Sequence, residues 1–414
     1  MGTLNTTTAA TAQQQVPLVL ATVFVAYLGQ FTLNPIIAPL AREVGLAEWQ
    51  IGVTIGAAAL MLVGTSQFWG RRSQSWGRKP VLTGALALGT VTMIMFTLVA
   101  ILGMRGMIAG TWLFVLFVLL RGLGFGVAIS AVPPTAQAYI ADVTEPGKQR
   151  VAWLSGLGAA QGIAMVGGAA LGGGLSAFGL ATALIAVPVV LSIGLLLVII
   201  KLRREPATTL IEKPVRPRVS DGRIWPYLVA GFGLYTALGF IQVATGFIVI
   251  DRFGLDPQAA GPLTGGALIA AGVGVIVAQS VIVPRTGWRP GILLRVGSAA
   301  ALAGYLIMIP DAGPVVLIAS MLIIGLGLGI AGPGYLAGPT MAMRREEQGG
   351  LAGLLSANLG LTFVIAPLAG TTLYGLQPAL PIIASAVIMA AVTVFVAVHP
   401  RFRRTDTDPC RDLS

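Results

Sequence analysis

The sequence is poor in the residues from which most enzymes build their chemistry. Among 414 residues there is one cysteine, Cys410, and one histidine, His399, both near the C-terminal end. A single thiol cannot close an intrachain disulfide, and one His with one Cys cannot make a zinc or iron site, so no metal is expected. Charge is equally scarce. Asp, Glu, Lys and Arg make up 10% of the chain, where a soluble domain typically carries about 25%. No Ser/His pair, acid pair or metal constellation lies in the apolar runs, so an enzyme is not expected. A Gly-x-x-x-x-Gly-Lys-Ser/Thr loop is missing too, which excludes a nucleotide-driven pump within this chain. The first 40 residues hold no Lys or Arg. The first apolar run therefore lacks the basic segment of a secretory signal and is read as a retained helix.

What is abundant is apolar and small. Hydrophobic residues are 56% of the chain, mean hydropathy is +0.87, and there are 55 glycines. A water-facing surface cannot be built from so few charges, so lipid is expected to cover most of the protein, with small residues letting helices approach. A membrane helix needs roughly 20 mostly apolar residues. Twelve runs qualify, at about 16–40, 48–69, 81–103, 111–141, 151–176, 178–201, 225–250, 258–283, 290–309, 314–341, 349–373 and 378–398. The net charge of +11 does not point to nucleic acid, because the cations sit in short loops between these runs. With both termini placed in the cytoplasm, only Arg42, Arg105 and Arg252 of the 26 cations fall outside, and Arg121 alone falls within a span. That asymmetry obeys the positive-inside rule and supports an even span count. All seven Trp residues lie at or near proposed helix ends, where indole prefers to sit.

The stretch 202–224 is polar and rich in Pro and charge, and reads as a cytoplasmic linker. It separates residues 1–201 from 225–400, six spans each, and leaves 401–414 as a cytoplasmic tail. The halves look related. Tyr27 and Asn34 are seven residues apart in the first span, as are Tyr235 and Gln242 in the seventh. Gly77 and Pro80 bracket a basic turn after the second span, and Gly287 and Pro290 one after the eighth. Pro133 is expected to break the fourth span and Pro333 the tenth. The offsets, about 200–210 residues, mark a tandem repeat of parallel orientation. The expected fold is all-α, with twelve transmembrane helices in two six-helix bundles related by pseudo-twofold symmetry.

Several stretches resemble the major facilitator superfamily, in particular its twelve-span drug:proton antiporter branch. Gly70-Arg-Arg-Ser-Gln74-Ser-Trp-Gly77-Arg78-Lys79-Pro80 is similar to the family's loop signature of a Gly, an Asp-Arg pair and Gly-Arg-Arg/Lys. Gln74 stands where the Asp is usual and Ser75 where the first Arg is usual. Gln137-Ala-Tyr-Ile-Ala-Asp142-Val-Thr resembles the end of the fourth span in tetracycline-type exporters. The resemblance implies a cytoplasmic gate of Gly77, Arg78 and Asp142, with Arg78 paired to Asp142. Gly168-Ala-Ala-Leu-Gly172-Gly173 looks like the antiporter signature Gly-Pro-x-x-Gly-Gly with Ala169 in place of Pro, and Ala366-Pro367-Leu-Ala-Gly370 echoes it in the eleventh span. Leu28 to Pro39 resembles the first-span signature. The sugar-porter sequence Pro-Glu-Ser-Pro-Arg is absent after the sixth span, where Lys201-Leu-Arg-Arg-Glu-Pro stands instead.

Arg121 is the most informative single residue, because an intramembrane Arg is costly and usually faces a partner or an aqueous cavity. The resemblance implies that the first, fourth, seventh and tenth spans line the cavity. Tyr27, Gln30 and Asn34 fall on one face of the first span, and Tyr235, Gln242 and Thr245 on one face of the seventh. With Arg121 they are the candidate substrate or coupling residues. No acid lies near the middle of a span. Arg121 then either binds an anionic group of the cargo, or coupling uses a peripheral acid such as Asp142 or Asp251. The expected function is secondary export of a drug, an antibiotic or a siderophore-like metabolite, driven by the proton gradient without a bound cofactor. The alternative is uptake of an organic anion by the same fold. The resemblance implies a monomer, in the inner membrane of a bacterium, whose partners are a small-molecule substrate, protons and the bilayer.

Overall fold

A computed structural model describes residues 14–176, 178–205, 211, 214–254 and 257–404. Cys410 and most of the 401–414 tail lie outside the described residues. Among the described residues every regular element is helical. Hydrocarbon offers no partner for backbone N–H and C=O groups, and a helix satisfies nearly all of its own. Twelve helices are long and apolar enough to cross a membrane. In chain order these spans are Val16–Ile37, Trp49–Trp76, Arg78–Met104, Gly110–Val143, Lys148–Ser176, Leu180–Lys201, Trp225–Phe253, Leu263–Thr286, Pro290–Met308, Pro314–Thr340, Arg345–Leu376 and Leu380–Val398.

Four spans differ locally from the sequence-based expectation. Span 2 does not stop near residue 69 but runs to Trp76, so most of the expected basic loop is helical. Gly70, Ser73 and Gln74 are buried there, and packing rather than hydropathy carries the helix onward. Gly77 alone makes the corner into span 3, at a φ of +94° that favours glycine. Span 1 is interrupted at Leu33, between the helices Val16–Thr32 and Asn34–Glu43. Pro35 has no N–H to continue the ladder. Span 4 contains a π-helical segment, Val118–Gly124, and restarts at Val132, just before Pro133 and Pro134. Span 10 is not broken at Pro333: one helix runs from Pro314 to Thr340 with Pro333 and Pro339 inside it.

Packing divides the chain into two compact units. One comprises Met1–Glu145, Ala160–Pro217 and Arg344–Gly360; the other comprises Pro146–Ala159, Arg218–Met343 and Leu361–Ser414. These are not the sequence halves. The first part of span 5 packs with the later spans, and the first part of span 11 with the earlier ones.

Small residues make both exchanges possible. In the first unit, a Cβ at Gly70 would run into the Gly349 carbonyl, and one at Gly353 into the Gln67 backbone. In the second, Gly158 leaves room for the side chain of Gln279, and the Ser155 hydroxyl donates to the Gln279 carbonyl at 2.6 Å. That carbonyl lies in a second π-helical segment, Ala278–Ile282. A reciprocal lock joins spans 7 and 10 in the same unit. Tyr227 fills the space over Gly338, and Tyr335 the space over Gly231. Both tyrosines are buried.

Overpacking such a contact costs about 1–3 kcal/mol. Gly338→Ala and Gly231→Ala are therefore expected to lower the melting temperature of the purified protein by several degrees. Gly84→Ala, where a Cβ meets nothing within 4 Å, is expected to leave it unchanged or raise it slightly.

Candidate functional site

Candidate residues occur in both units. In the first unit, the gate residues converge at the end of span 4. Asp142 is in the last turn of the helix Val132–Val143, and the Gly77 corner turns Arg78 toward it. The Arg78 guanidinium donates through Nη2 to Asp142 Oδ2, with both side chains almost wholly buried.

Arg78 also meets a carboxylate that sequence reasoning missed. Its backbone N–H donates to Glu205 Oε2 at 2.7 Å, and its Nε lies 3.5 Å from Glu205 Oε1. Glu205 belongs to the Lys201-Leu-Arg-Arg-Glu-Pro stretch at the start of the polar linker. One buried cation is thus shared by two acids. Gln74, at the position of the usual loop acid, takes another role: its Nε2 donates to the Arg345 carbonyl at 2.6 Å. Arg345 Nε lies 4.0 Å from Asp142 Oδ1, which ties the start of span 11 to the same cluster.

Arg121 lies on the π-helical segment of span 4 and is 6% exposed. Its guanidinium carbon is 5.1 Å from the centroid of the Phe125 ring, and its Nε has no hydrogen-bond partner. The three glycines after it are packing residues. Gly122 and Gly126 sit against Thr54, Ala57, Ala58 and Met61 of span 2, and Gly124 against Thr92 of span 3. Spacings of four and two residues send them to different neighbours, which an alternating glycine pattern does not disclose.

The first-span trio is divided. Tyr27 and Gln30 share the helix Val16–Thr32, and the Oε1 of Gln30 is buried without a partner. Asn34 opens the next helix and is exposed. Leu33, between the two helices, keeps helical backbone angles. Gly168 and Gly172 of span 5 meet Phe31 and Thr32 of span 1 at distances no Cβ could tolerate. Gly173, grouped with them in the antiporter signature, meets nothing within 4 Å; one residue further on is about 100° around the helix.

In the second unit, Gln242 is exposed. The buried Thr245 donates its hydroxyl to the Ile241 carbonyl at 2.5 Å, so that donor is already used by its own helix. Tyr235 stacks edge-on against Tyr335, with centroids 5.8 Å apart. A Cβ at Gly332 would lie 3.4 Å from the Tyr235 hydroxyl and 3.5 Å from Gln279 Nε2. These two polar groups therefore flank one bare stretch of span 10. Gln279 was not singled out from the sequence, although it is the one amide in the run Gly274 to Pro284. Asp251, the other candidate coupling acid, accepts a hydrogen bond from the Tyr374 hydroxyl. Taken separately, the first unit offers the buried Arg121 over an aromatic ring with Tyr27 and Gln30, and the second offers Tyr235 and Gln279, groups of the kind that bind organic molecules. Among the described residues there is no group of three or more His, Cys, Asp or Glu able to hold a metal.

Comparison with known proteins identifies the family. A family model described as Major Facilitator Superfamily matches residues 19–367. The tetracycline resistance protein, class G, of Vibrio anguillarum is 28% identical over 363 residues, covering 84% of this chain and 87% of that protein. The class B protein of Escherichia coli is 24% identical over 360 residues, covering 84% and 85%. Among solved structures, the human organic anion transporter MFSD10 (TETRAN) superposes with a TM-score of 0.74 at 15% identity, over 93% of this chain and 99% of that one. A bacterial homologue of the iron transporter ferroportin gives 0.73 at 14% identity, over 95% and 99%. At these identities the structural likeness shows the fold alone.

Removing one partner of a buried ion pair costs about 3–5 kcal/mol, while replacing both by apolar residues is often close to neutral. Arg78→Met and Asp142→Leu are each expected to destabilise strongly. The double variant should recover most of the loss in a thermal melt. Glu205→Gln, on a partly exposed carboxylate, should cost much less.

Proposed function

Because this chain belongs to the Major Facilitator Superfamily, we propose that it is a secondary exporter moving a small organic molecule out of a bacterial cytoplasm by proton antiport. The supporting relatives match over most of their length and carry names of tetracycline resistance proteins. Tetracycline is accordingly the first cargo to try. The observation that carries the reading is Arg121. A buried guanidinium with no acid bound to it among the described residues, set over an aromatic ring, is a costly arrangement in a membrane. It is well matched to a cargo that brings an anionic or electron-rich group to the same place, because such a group supplies the missing counter-charge. Tyr27 and Gln30 from span 1, in the same unit, add hydrogen-bonding groups.

The gate is proposed to be the Arg78 cluster. Opening at that end of the first unit would have to separate Arg78 from Asp142 or from Glu205, and reclosing would restore the pairs. Protonation offers a way to weaken one of them. A proton on Asp142 competes directly with Arg78, whereas a proton on Asp251 competes only with the Tyr374 hydroxyl. Both acids remain candidate carriers. The protein is proposed to act as a monomer in the inner membrane, both termini cytoplasmic, with the proton gradient as its energy source and no bound cofactor. A second reading, uptake of an organic anion, is favoured by the same uncompensated charge on Arg121.

Flux direction decides between them. Cells producing the protein are expected to accumulate less tetracycline than control cells, and an uncoupler should abolish the difference. Arg121→Ala should reduce efflux about tenfold at equal protein level, equivalent to roughly 1.4 kcal/mol of contact energy. Higher accumulation that collapses with the uncoupler would establish uptake instead.

A further inference from the structure

Four cations surround the corner between spans 2 and 3, namely Arg71, Arg72, Arg78 and Lys79, and they count equally toward the positive-inside asymmetry. The structure divides them. Arg78 is consumed by Asp142 and Glu205, and the Lys79 ammonium donates to the Ile199 carbonyl at 2.7 Å. Arg71 and Arg72 form no ion pair with a carboxylate among the described residues.

Arg72 is held in a particular way. Its guanidinium carbon lies 4.8 Å from the centroid of the Trp76 ring and 5.3 Å from that of Phe68. The three residues follow at four-residue intervals, so they share one face of the helix. The two rings meet edge-on, with centroids 6.4 Å apart. That face looks outward: Phe68 is 39% and Trp76 50% exposed. The opposite face, with Ser66, Gly70, Ser73 and Gln74, is buried within the first unit, largely against the start of span 11. Arg72 is thus turned away from that buried seam, at the foot of an apolar stripe that includes Leu60 and Phe68. Arg71, beside it, is half-buried, and its Nε has no hydrogen-bond partner.

We propose that Arg71 and Arg72, with Phe68 and Trp76, form a binding site for the headgroup of an anionic phospholipid. A guanidinium resting on aromatic faces keeps its N–H edge free, and that edge matches two phosphate oxygens at once. The rings supply the apolar surface that the lipid's glycerol and upper acyl carbons cover. Trp is well suited to this depth of the bilayer. Arg78 is held by two acids and Lys79 by a backbone carbonyl, whereas Arg71 and Arg72 make no ion pair among the described residues. The occupant is a lipid rather than a soluble anion because the surface flanking the charges is apolar and outward-facing. The site does not depend on what the protein transports.

The test is a thermal melt of the detergent-purified full chain with dioctanoyl phosphatidylglycerol, dioctanoyl phosphatidylcholine or inorganic phosphate, at constant ionic strength. Phosphatidylglycerol is expected to raise the melting temperature by about 3 °C at saturation, and phosphatidylcholine is not. The rise should vanish in Arg71→Gln/Arg72→Gln and persist in Arg216→Gln/Arg218→Gln, which removes two exposed cations of the linker. Arg72→Lys keeps the charge but loses the planar fork, and should retain about half of the shift; it serves if the double variant does not fold. The proposal is overturned if the wild type shows no preference for phosphatidylglycerol over phosphatidylcholine. It is equally overturned if both double variants respond like the wild type, if Arg72→Lys responds fully, or if inorganic phosphate alone reproduces the shift.

Discussion

A backbone amide in hydrocarbon has no water to turn to, and leaving it unbonded costs several kcal/mol. That constraint makes this chain helical wherever it is apolar, and it also governs the places where a helix departs from its regular ladder. Each departure occurs where another group is at hand. At the π-helical segment of span 8, the Ser155 hydroxyl donates to the Gln279 carbonyl. Past the π-helical segment of span 4, Ser130 and Thr65 bridge spans 4 and 2 at 2.7 Å. Just before the break in span 1, Thr32 donates back to the Leu28 carbonyl at 2.7 Å. Irregular backbone is tolerated inside the protein, where neighbours can serve it, and π-helical turns often mark functional sites. The two found here carry Arg121 and Gln279.

The same accounting applies to charge. A membrane protein keeps a buried ionic group only when something offsets its desolvation. Arg78 has two carboxylates, and its surroundings are fully explained by structure. Arg121 has an aromatic ring and no carboxylate among the described residues. The contrast between the two arginines fits the two roles proposed for them. Arg78 is compensated by the protein itself, which suits an element that closes and reopens. Arg121 has no such partner among the described residues, which suits the binding role proposed for it.

Much of the fold was legible because hydropathy and charge asymmetry act over whole helices. Twenty apolar residues cannot be hidden, and one missed span would have inverted every later loop. The Arg78–Asp142 contact was legible through two family-like stretches, the loop that carries Arg78 and the end of the fourth span that carries Asp142. What was not legible came from contacts between residues distant in sequence. Glu205 sits in a polar stretch that reads as a solvated linker, and only the folded chain shows its carboxylate on Arg78. Span 2 continues past its apolar run because Gln74 and Gly70 are buried against span 11, which no local window can report. Gly173 shared a motif with Gly172 but not its side of the helix. In each case the sequence holds the residue type, and the partner decides its role.

The glycine seams show how one structure can be both closed and ready to change. Where Gly70 meets Gly349 and Gly353 meets Gln67, the contact is backbone against backbone. Such contacts are close but nearly featureless, with few rotamers to lock and little side-chain entropy at stake. Specificity in the same region comes from a few polar links, Gln74 to the Arg345 carbonyl and Arg78 to its two acids. A smooth interface fastened at a few points can part when those points are weakened, because no large interdigitated core has to be dismantled. Two-state elements that differ by only a few kcal/mol respond to ligands or protons with comparable energy to offer. One proton on a carboxylate that a buried arginine holds, or one cargo neutralising Arg121, lies within that range. The abundance of glycine and the scarcity of charge, which first marked this sequence as unusual, thus meet in one arrangement, close backbone seams fastened by few polar links, and that arrangement suits the gate proposed for the Arg78 cluster.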